Sequence, residues 1–325
     1  MKIYFSISCH TALLDAIVAA DLIKFLLKKE DIQYFINLTI TDPKIIKEKH
    51  NIKNFFNRIQ IAKIPNVRKK IYKYYKQNIG SVRLFNSIIS NGISAIKKDY
   101  DFIIYLNSGS WFLDFSPFKN LINFLKKNNK VVGCRIQAFL KGKSLFFDDH
   151  FLVVNLLEAK KLNFYKVSKD SRAYVPLDFY YGAIHKCLFS WFTKLPLSSV
   201  YVYTCMSEVF NEHGTLGSRF IPISYDYKFK LLHSNYRFKK ILPLRYAYLE
   251  RFGYKASSAP VEIELKKWKK EKKNISEKLV NNEKIYFLKS SLYSRIRMSL
   301  QKTIFKRIIG IEENPIAKVE TKKIT

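Results

Sequence analysis

Apolar residues along the chain change period in a regular order. Residues 2–8, KIYFSIS, form a short β-rich run, and residues 10–30, HTALLDAIVAADLIKFLLKKE, then space apolar residues as a helix does and end in a basic turn that complements the helix dipole. IQYFINLTIT (32–41) reads as a second strand, closed by Asp42-Pro43, with Pro43 opening the next helix. Strand, helix, strand, helix is the rhythm of a parallel sheet. DFIIYL (101–106) is apolar throughout, as expected of a strand covered by helices on both faces, and it stops abruptly at Asn107-Ser108-Gly109-Ser110. SPFKNLINFLKKNNK (116–130) predicts a helix capped by Ser116 with Pro117 at its first position, and VVGCRI (131–136) a buried strand. KGKSLFFDDH (141–150) reads as a loop or hairpin edge, and residues 150–165 as a strand feeding a helix that Asn155 caps. From 174 to 233 the segments are shorter and mixed, with a helical stretch at 190–193. Residues 256–260, ASSAP, resemble a linker, and beyond them lie basic helical patterns that sit outside the main core.

Composition narrows this to a folded α/β chain. The 325 residues are 48% hydrophobic and 15% aromatic with only ten glycines, which argues against disorder. Cys9, Cys134, Cys187 and Cys205 show no paired spacing, so neither a zinc site nor a disulfide framework is expected, and a reduced compartment fits. No window holds the roughly 18 consecutive apolar residues that span a bilayer. The first residues lack a small-residue cleavage site and carry Asp15 and Asp21, which leads to the expectation of a cytoplasmic protein or one peripheral at the inner face of a membrane.

Charge adds a clue about partners. The formal net charge is +32, partly a product of a Lys/Ile/Asn-rich composition, so its distribution matters more than its sum. Residues 49–98 hold twelve Lys/Arg and no Asp or Glu, and residues 261–325 hold seventeen basic against eight acidic residues. Such fields attract polyanions: nucleotide phosphates, anionic lipid head groups or nucleic acid. Nucleic acid is the weakest of the three, because no aromatic-basic RNA motif, helix-turn-helix pattern or zinc spacing accompanies the charge. A solvated basic surface explains it equally well.

One series of residues goes further. Asn78-Ile-Gly80, Asn86, Gly92-Ile93 and Ala95 precede the strand YDFIIYLNSGS, a Pro-started helix and a Val-Gly strand. In order and approximate spacing, residues 76–136 resemble the GT-A fold nucleotide-sugar glycosyltransferases, in particular the large bacterial family that includes rhamnosyltransferases. The resemblance implies a GT-A-like, mostly parallel sheet flanked by helices over residues 1–255, with 1–136 as the nucleotide-binding half and 137–255 as the acceptor or catalytic half. Residues 261–325 would form a basic helical extension. The implied activity is sugar transfer, inverting by family likeness, from a nucleotide-sugar donor to a glycan or lipid-linked acceptor in polysaccharide or lipopolysaccharide biosynthesis. A catalytically silent domain that binds the same ligands is the competing reading.

The resemblance also distributes roles. Asp42 matches the family's strand-end Asp at the base or ribose, and strand alternation turns Ser6 and Ser8 toward the same pocket. Asn78, Asn86, Asn107, Ser108, Gly109 and Ser110 complete the expected donor site. Glu208 lies 25 residues before His233, as the family's acidic residue lies before its metal-binding His, but the pair's second position is Val209. Glu212, one helical turn after Glu208, is the substitute general base. Such a base contributes about 10²–10⁴-fold. Glu208 and Glu212 read equally as an exposed acidic helix face, and Asn-Ser-Gly-Ser as a plain turn.

The Asp-x-Asp motif of the family, which holds Mg²⁺ or Mn²⁺, is degenerate here. Asn107 takes its first position and Gly109 stands where the metal-binding Asp belongs, so only Asn107 and His233 remain as metal candidates. Three explanations follow: the basic 49–98 segment neutralises the diphosphate without a metal, or Asp114, Asp148 or Asp149 supplies a ligand, or catalysis has been lost. Metal-independent action is the expectation.

Overall fold

The computed structural model describes residues 1–10, 13–42, 45, 52–62, 79–138, 145–166, 195–204, 207–210, 223–226, 230–234, 249, 253–256, 262–263 and 266. Its elements are β1 (Lys2–Cys9), α1 (Leu13–Leu27), β2 (Gln33–Ile40), β3 (Arg58–Ile61), α2 (Ile79–Lys97), β4 (Phe102–Asn107), β5 (Ser110–Phe112), α3 (Ser116–Lys127), β6 (Val132–Ala138), β7 (Leu145–Asn155), α4 (Leu156–Lys161), β8 (Val200–Thr204), β9 (Ser207–Phe210), β10 (Ile223–Asp226) and β11 (Leu231–Ser234).

Two sheets form. The large one runs β3-β2-β1-β4-β7-β6-β8, and the small one β5-β11-β10-β9. In the large sheet every adjacent pair is parallel except the two that β7 makes, with β4 and with β6. The small sheet is antiparallel throughout. The fold is therefore α/β with a mostly parallel sheet flanked by helices. That sheet draws β7 and β8 from beyond residue 137, so it continues across the expected boundary between halves.

The two faces of the large sheet are packed by different helices. On one, Phe5, Ile7, Ile36, Leu38 and Leu106 meet α1 and α3, and this core continues into Trp111 and Phe112 of β5 and Leu231 and Leu232 of β11. Phe112 is wedged among aromatic rings, its centroid 3.8 Å from that of Phe118 and 6.2 Å from that of Phe151. On the other, Tyr4, Ile103, Tyr105 and Val154 meet α2 and α4. β4 is buried along its whole length, as its unbroken apolar run requires.

Helices α2, α3 and α4 stop in the same way. Asp99, Asn129 and Asn163 each adopt positive φ just past the helix, at 53°, 49° and 49°. The following amide then reaches back five residues: Tyr100 to the Ala95 carbonyl, Lys130 to Leu125 and Phe164 to Ala159, at 3.2, 2.9 and 2.8 Å. Asn and Asp are the non-glycine residues that tolerate this left-handed end.

Several expectations need correction. Residues 145–150, expected as a loop or hairpin edge, are no loop but the first half of the long strand β7; it pairs antiparallel with β6 as a hairpin does, and it also runs antiparallel to β4 inside a sheet expected to be parallel around DFIIYL. β3 has no counterpart in the sequence reading, because RIQI is short and half exposed. Ser116 is the first residue of α3 rather than its cap; Phe115 holds the cap position, and the Asp114 carboxylate accepts the Ser116 N–H and hydroxyl at 2.9 and 3.0 Å. Asn155 does occupy the cap position of α4. Glu208 sits in strand β9, not at the start of a helix, so the one-turn relation to Glu212 does not apply from that side. Asn78, Glu212, the helix after Pro43, the stretch at 190–193 and nearly all of 261–325 lie outside the described residues. Of that extension, Glu262, Ile263 and Lys266 are helical, with Lys266 Nζ 2.8 Å from Glu262 Oε1.

Candidate functional site

Strand order fixes where a ligand can enter. The chain lays down β1, moves outward through β2 to β3, then returns to place β4 on the other side of β1. In open α/β sheets the connections diverge at such a reversal and leave a crevice at the carboxyl ends of the strands. Here those ends are Ser8 and Cys9 of β1 and Asn107 of β4, with Ser8 and Asn107 directly paired.

The sheet face under α2 grows polar toward that crevice. Cross-strand rows on this face read Phe35, Tyr4, Ile103, Val154; then Arg58, Asn37, Ser6, Tyr105, Leu152; and last Gln60, Thr39, Ser8, Asn107. The last row is polar throughout. Thr39 is fully buried and Ser8 and Asn107 are 6% exposed, so these groups must find partners or cost free energy. The α2 residue Asn91 partners Thr39, together with Gln60 of the same row and Ser6 of the row before it. Its amide donates to Ser6 Oγ at 2.8 Å and Thr39 Oγ1 at 3.1 Å, and its carbonyl accepts from Gln60 Nε2 at 2.7 Å. Gln60 and Asn37 also donate to Thr39 Oγ1, both at 3.0 Å.

Asn91 belongs to a stripe. Arg83, Ser87 and Asn91 stand four residues apart on α2, one turn above another, among the apolar Leu84, Phe85, Ile88 and Ile89. Helix α2 runs so that Arg83 lies over the carboxyl edge, where its Nη1 donates to the Thr41 carbonyl at 3.0 Å. Its Nε is buried without a hydrogen-bond partner. Arg83, Asn91 and Gln60 were not singled out from the sequence. The signal was a polar residue every four positions beside the apolar Leu84, Phe85, Ile88 and Ile89.

The turn after β4 is built tightly. Asn107 Oδ1 accepts the Gly109 N–H at 3.2 Å, an Asx turn, and the Ser108 N–H donates to the Ser8 carbonyl at 2.8 Å. Trp111 Nε1 lies between the Ser108 and Asp15 carbonyls, at 3.2 and 3.1 Å, which ties the turn to the start of α1. Ser108 and Ser110 are fully buried, so the turn is closed over in this conformation. Ser108 Oγ has no hydrogen-bond partner there. Ser8 Oγ donates to the Leu106 carbonyl at 3.2 Å.

Long-range pairing gathers most of the expected donor residues. Ser6, Ser8, Asn107, Ser108, Gly109 and Ser110 share the carboxyl edge, with Asp42 just past the end of β2 beside Thr41. His233 comes to the same edge by pairing with Ser110. Asn86 is half-buried on α2 and makes none of the bonds above. Glu208 is not brought to the turn. It lies on the outer strand of the small sheet, three strand spacings or about 14 Å from β5, in a row with Tyr225, Leu232 and Trp111, whereas His233 shares a row with Ser224 and Val209.

The donor set at the turn does not fit a divalent cation. Asn107 Oδ1 is a neutral ligand already engaged by the Gly109 amide, Gly109 offers no side chain, and both Asp114 oxygens serve Ser116. Among the described residues, no three His, Cys, Asp or Glu cluster as a metal site would require. Asp148 and Asp149 lie on β7 just before Phe151, the partner of Leu106, so their backbone continues past the end of β4.

No family model matches the sequence, and no curated protein does. Among solved structures, the chain is similar to core-mannan synthase A from Aspergillus fumigatus in a Mn/GDP form, at 10% identity and TM-score 0.39, covering 61% of this chain and 72% of that one. It is also similar to the galactosyltransferase LgtC in complex with donor and acceptor sugar analogs, at 14% identity and TM-score 0.38, covering 62% and 73%. A third is a glycosyltransferase involved in glycosylation of the major capsid of PBCV-1, at 12% identity and TM-score 0.34, covering 62% and 81%. Likenesses at this level assign no activity to the chain.

Proposed function

We propose that this protein is a glycosyltransferase of GT-A type, binding a nucleotide-sugar donor at the carboxyl ends of β1 and β4 and transferring the sugar to a glycan or lipid-linked acceptor. The observation that carries the reading is the pairing of Ser8 with Asn107 at the sheet's reversal point, in a row that is polar from Gln60 to Asn107. A buried polar row at that place is costly for stability alone and is where open α/β sheets receive ligands. The family resemblance of residues 76–136 supplies the ligand class. The order of residues in that stretch resembles the bacterial rhamnosyltransferase-like group.

In this reading Asp42 contacts the base or ribose, Ser6 and Ser8 line the floor, and Asn78 and Asn86 are further donor-binding residues. The turn Asn107–Ser110 closes over the diphosphate side. Departing negative charge is met by cationic side chains of the 49–98 segment rather than by a metal at the turn. Glu208 or Glu212 serves the acceptor side as general base, in an inverting transfer. The basic C-terminal region would hold the protein at an anionic, cytoplasmic membrane face where a lipid-linked acceptor lies; no helix among the described residues is long and apolar enough to cross a membrane.

The test is release of nucleoside diphosphate from a panel of UDP-, GDP-, dTDP- and CDP-sugars, with and without EDTA and with candidate acceptors. Turnover that survives EDTA is the expected result. Turnover abolished by EDTA refutes the metal-poor reading. Binding without turnover favours the silent domain, to which the closed turn and the missing motif carboxylate also point.

A further inference from the structure

Arg83 is a cationic residue of the basic 49–98 segment that is tied to the carboxyl edge of the sheet. It tops the polar stripe of α2, its Nη1 holds the Thr41 carbonyl at 3.0 Å, and its Nε is buried with no partner. Thr41 in turn donates its amide to the Cys9 carbonyl at 2.9 Å, while on the other side of β1 the Ser108 amide donates to the Ser8 carbonyl at 2.8 Å. Arg83 and the Asn107–Ser110 turn therefore flank the end of β1 from opposite sides, about two strand spacings or roughly 10 Å apart. A buried guanidinium N–H without an acceptor costs free energy that an arriving anion recovers, and a guanidinium fork matches phosphate oxygens. Its helix begins at Ile79, so the positive end of the α2 dipole lies at the same edge.

We propose that Arg83 binds the diphosphate of a nucleoside diphosphate donor and does there what a divalent cation would otherwise do. This rests on the nucleotide-sugar reading above and names the group that makes that reading independent of metal. Arg83 is then a binding residue in the ground state. When the bond between sugar carbon and diphosphate oxygen breaks, the electron pair stays on that oxygen, and Arg83 stabilises the charge without itself gaining or losing a proton.

Isothermal titration of EDTA-treated protein with UDP, GDP, dTDP and CDP, each against its own nucleoside, and with inorganic pyrophosphate, tests this. Wild-type protein is expected to bind at least one diphosphate ten-fold or more tightly than the nucleoside. In Arg83→Gln that advantage disappears while nucleoside affinity is unchanged, and pyrophosphate binding falls in parallel. Arg83→Lys, which keeps the charge but not the fork, loses several-fold and guards against a Gln variant that fails to fold. A diphosphate advantage retained in a folded Gln variant, unchanged in the Lys variant, or seen only when Mg²⁺ or Mn²⁺ is restored overturns the role of Arg83 and leaves the nucleotide reading standing. Wild-type protein that binds neither nucleosides nor diphosphates overturns the nucleotide reading, and this proposal with it.

Discussion

The ring of Tyr165 occupies the space that Gly92 leaves open on helix α2. A Cβ at residue 92 would stand 2.0 Å from Tyr165 Cε1 and 2.1 Å from Cζ, far inside any real contact. The ring cannot swing aside cheaply, because the Tyr165 and Tyr105 hydroxyls are 2.9 Å apart and Tyr105 also donates to the Ile88 carbonyl at 2.8 Å. Gly92→Ala is expected to destabilise the protein by about 1–3 kcal/mol, the usual cost of overpacking. Tyr165→Leu in the same chain should recover part of the loss, and a double-mutant cycle by denaturant unfolding measures it. An alanine variant as stable as wild type would mean that α2 and the turn after α4 do not meet as described.

Buried tyrosines set the alkaline limit. Burial pushes the Tyr4 hydroxyl up to about 12, and burial likewise raises Tyr105, Tyr165 and Tyr254 above the ordinary value of 10.0. Above pH 10 the unfolded chain releases protons that the folded chain still holds, so stability falls as pH rises. Below pH 10 these tyrosines are neutral in both states and contribute no slope. The expected outcome is a midpoint in urea that is insensitive to these groups up to pH 10 and drops between pH 10 and 12. Tyrosinate absorbance from the buried set should appear together with unfolding, not before it.

Asn91 holds three partners on three strands, Ser6, Thr39 and Gln60. Asn91→Ala strands buried polar groups at each, and a loss of at least about 2 kcal/mol is expected. Asn86→Ala, on the same helix but outside the cluster, should change stability by less than about 1 kcal/mol. Equal effects of the two substitutions would contradict the arrangement.

Tyr254 joins a late segment of the chain to α1. Its hydroxyl donates to Asp21 Oδ2, and its ring meets Phe25 edge-on at a centroid distance of 5.5 Å. Asp21 is fully buried, so Tyr254→Phe leaves its carboxyl short of a donor, with an expected cost of about 1–3 kcal/mol. Tyr254→Ala removes the ring packing as well and should cost more. Thermal melting of the two variants against wild type checks the order.

Much of the fold could be read because local pattern and tertiary demand agreed. The alternation in KIYFSIS, the unbroken apolar run of DFIIYL and the helical spacing of residues 13–27 each specify an element that the structure contains. β7 escaped in part because LFFDDH places two carboxylates inside a strand, and that strand is held by its neighbours β4 and β6 rather than by its own propensity. The site was legible where alternation applied, at Ser6 and Ser8, and where a strand ended, at Asn107. It was not legible at Asn91, Gln60 and Arg83, whose importance comes from facing other polar groups across 21 to 85 positions of sequence.

A nucleoside diphosphate bound to the crystalline or dissolved protein should lie across the carboxyl ends of β1 and β4, its diphosphate between Arg83 and the Asn107–Ser110 turn and its nucleoside toward Asp42. A structure determined with a saturating diphosphate is the most direct measurement of that claim. Density for the ligand in that crevice, with the turn moved off Ser108, is the predicted result. Ligand bound elsewhere, or an empty crevice with Ser108 still fully buried, would contradict it.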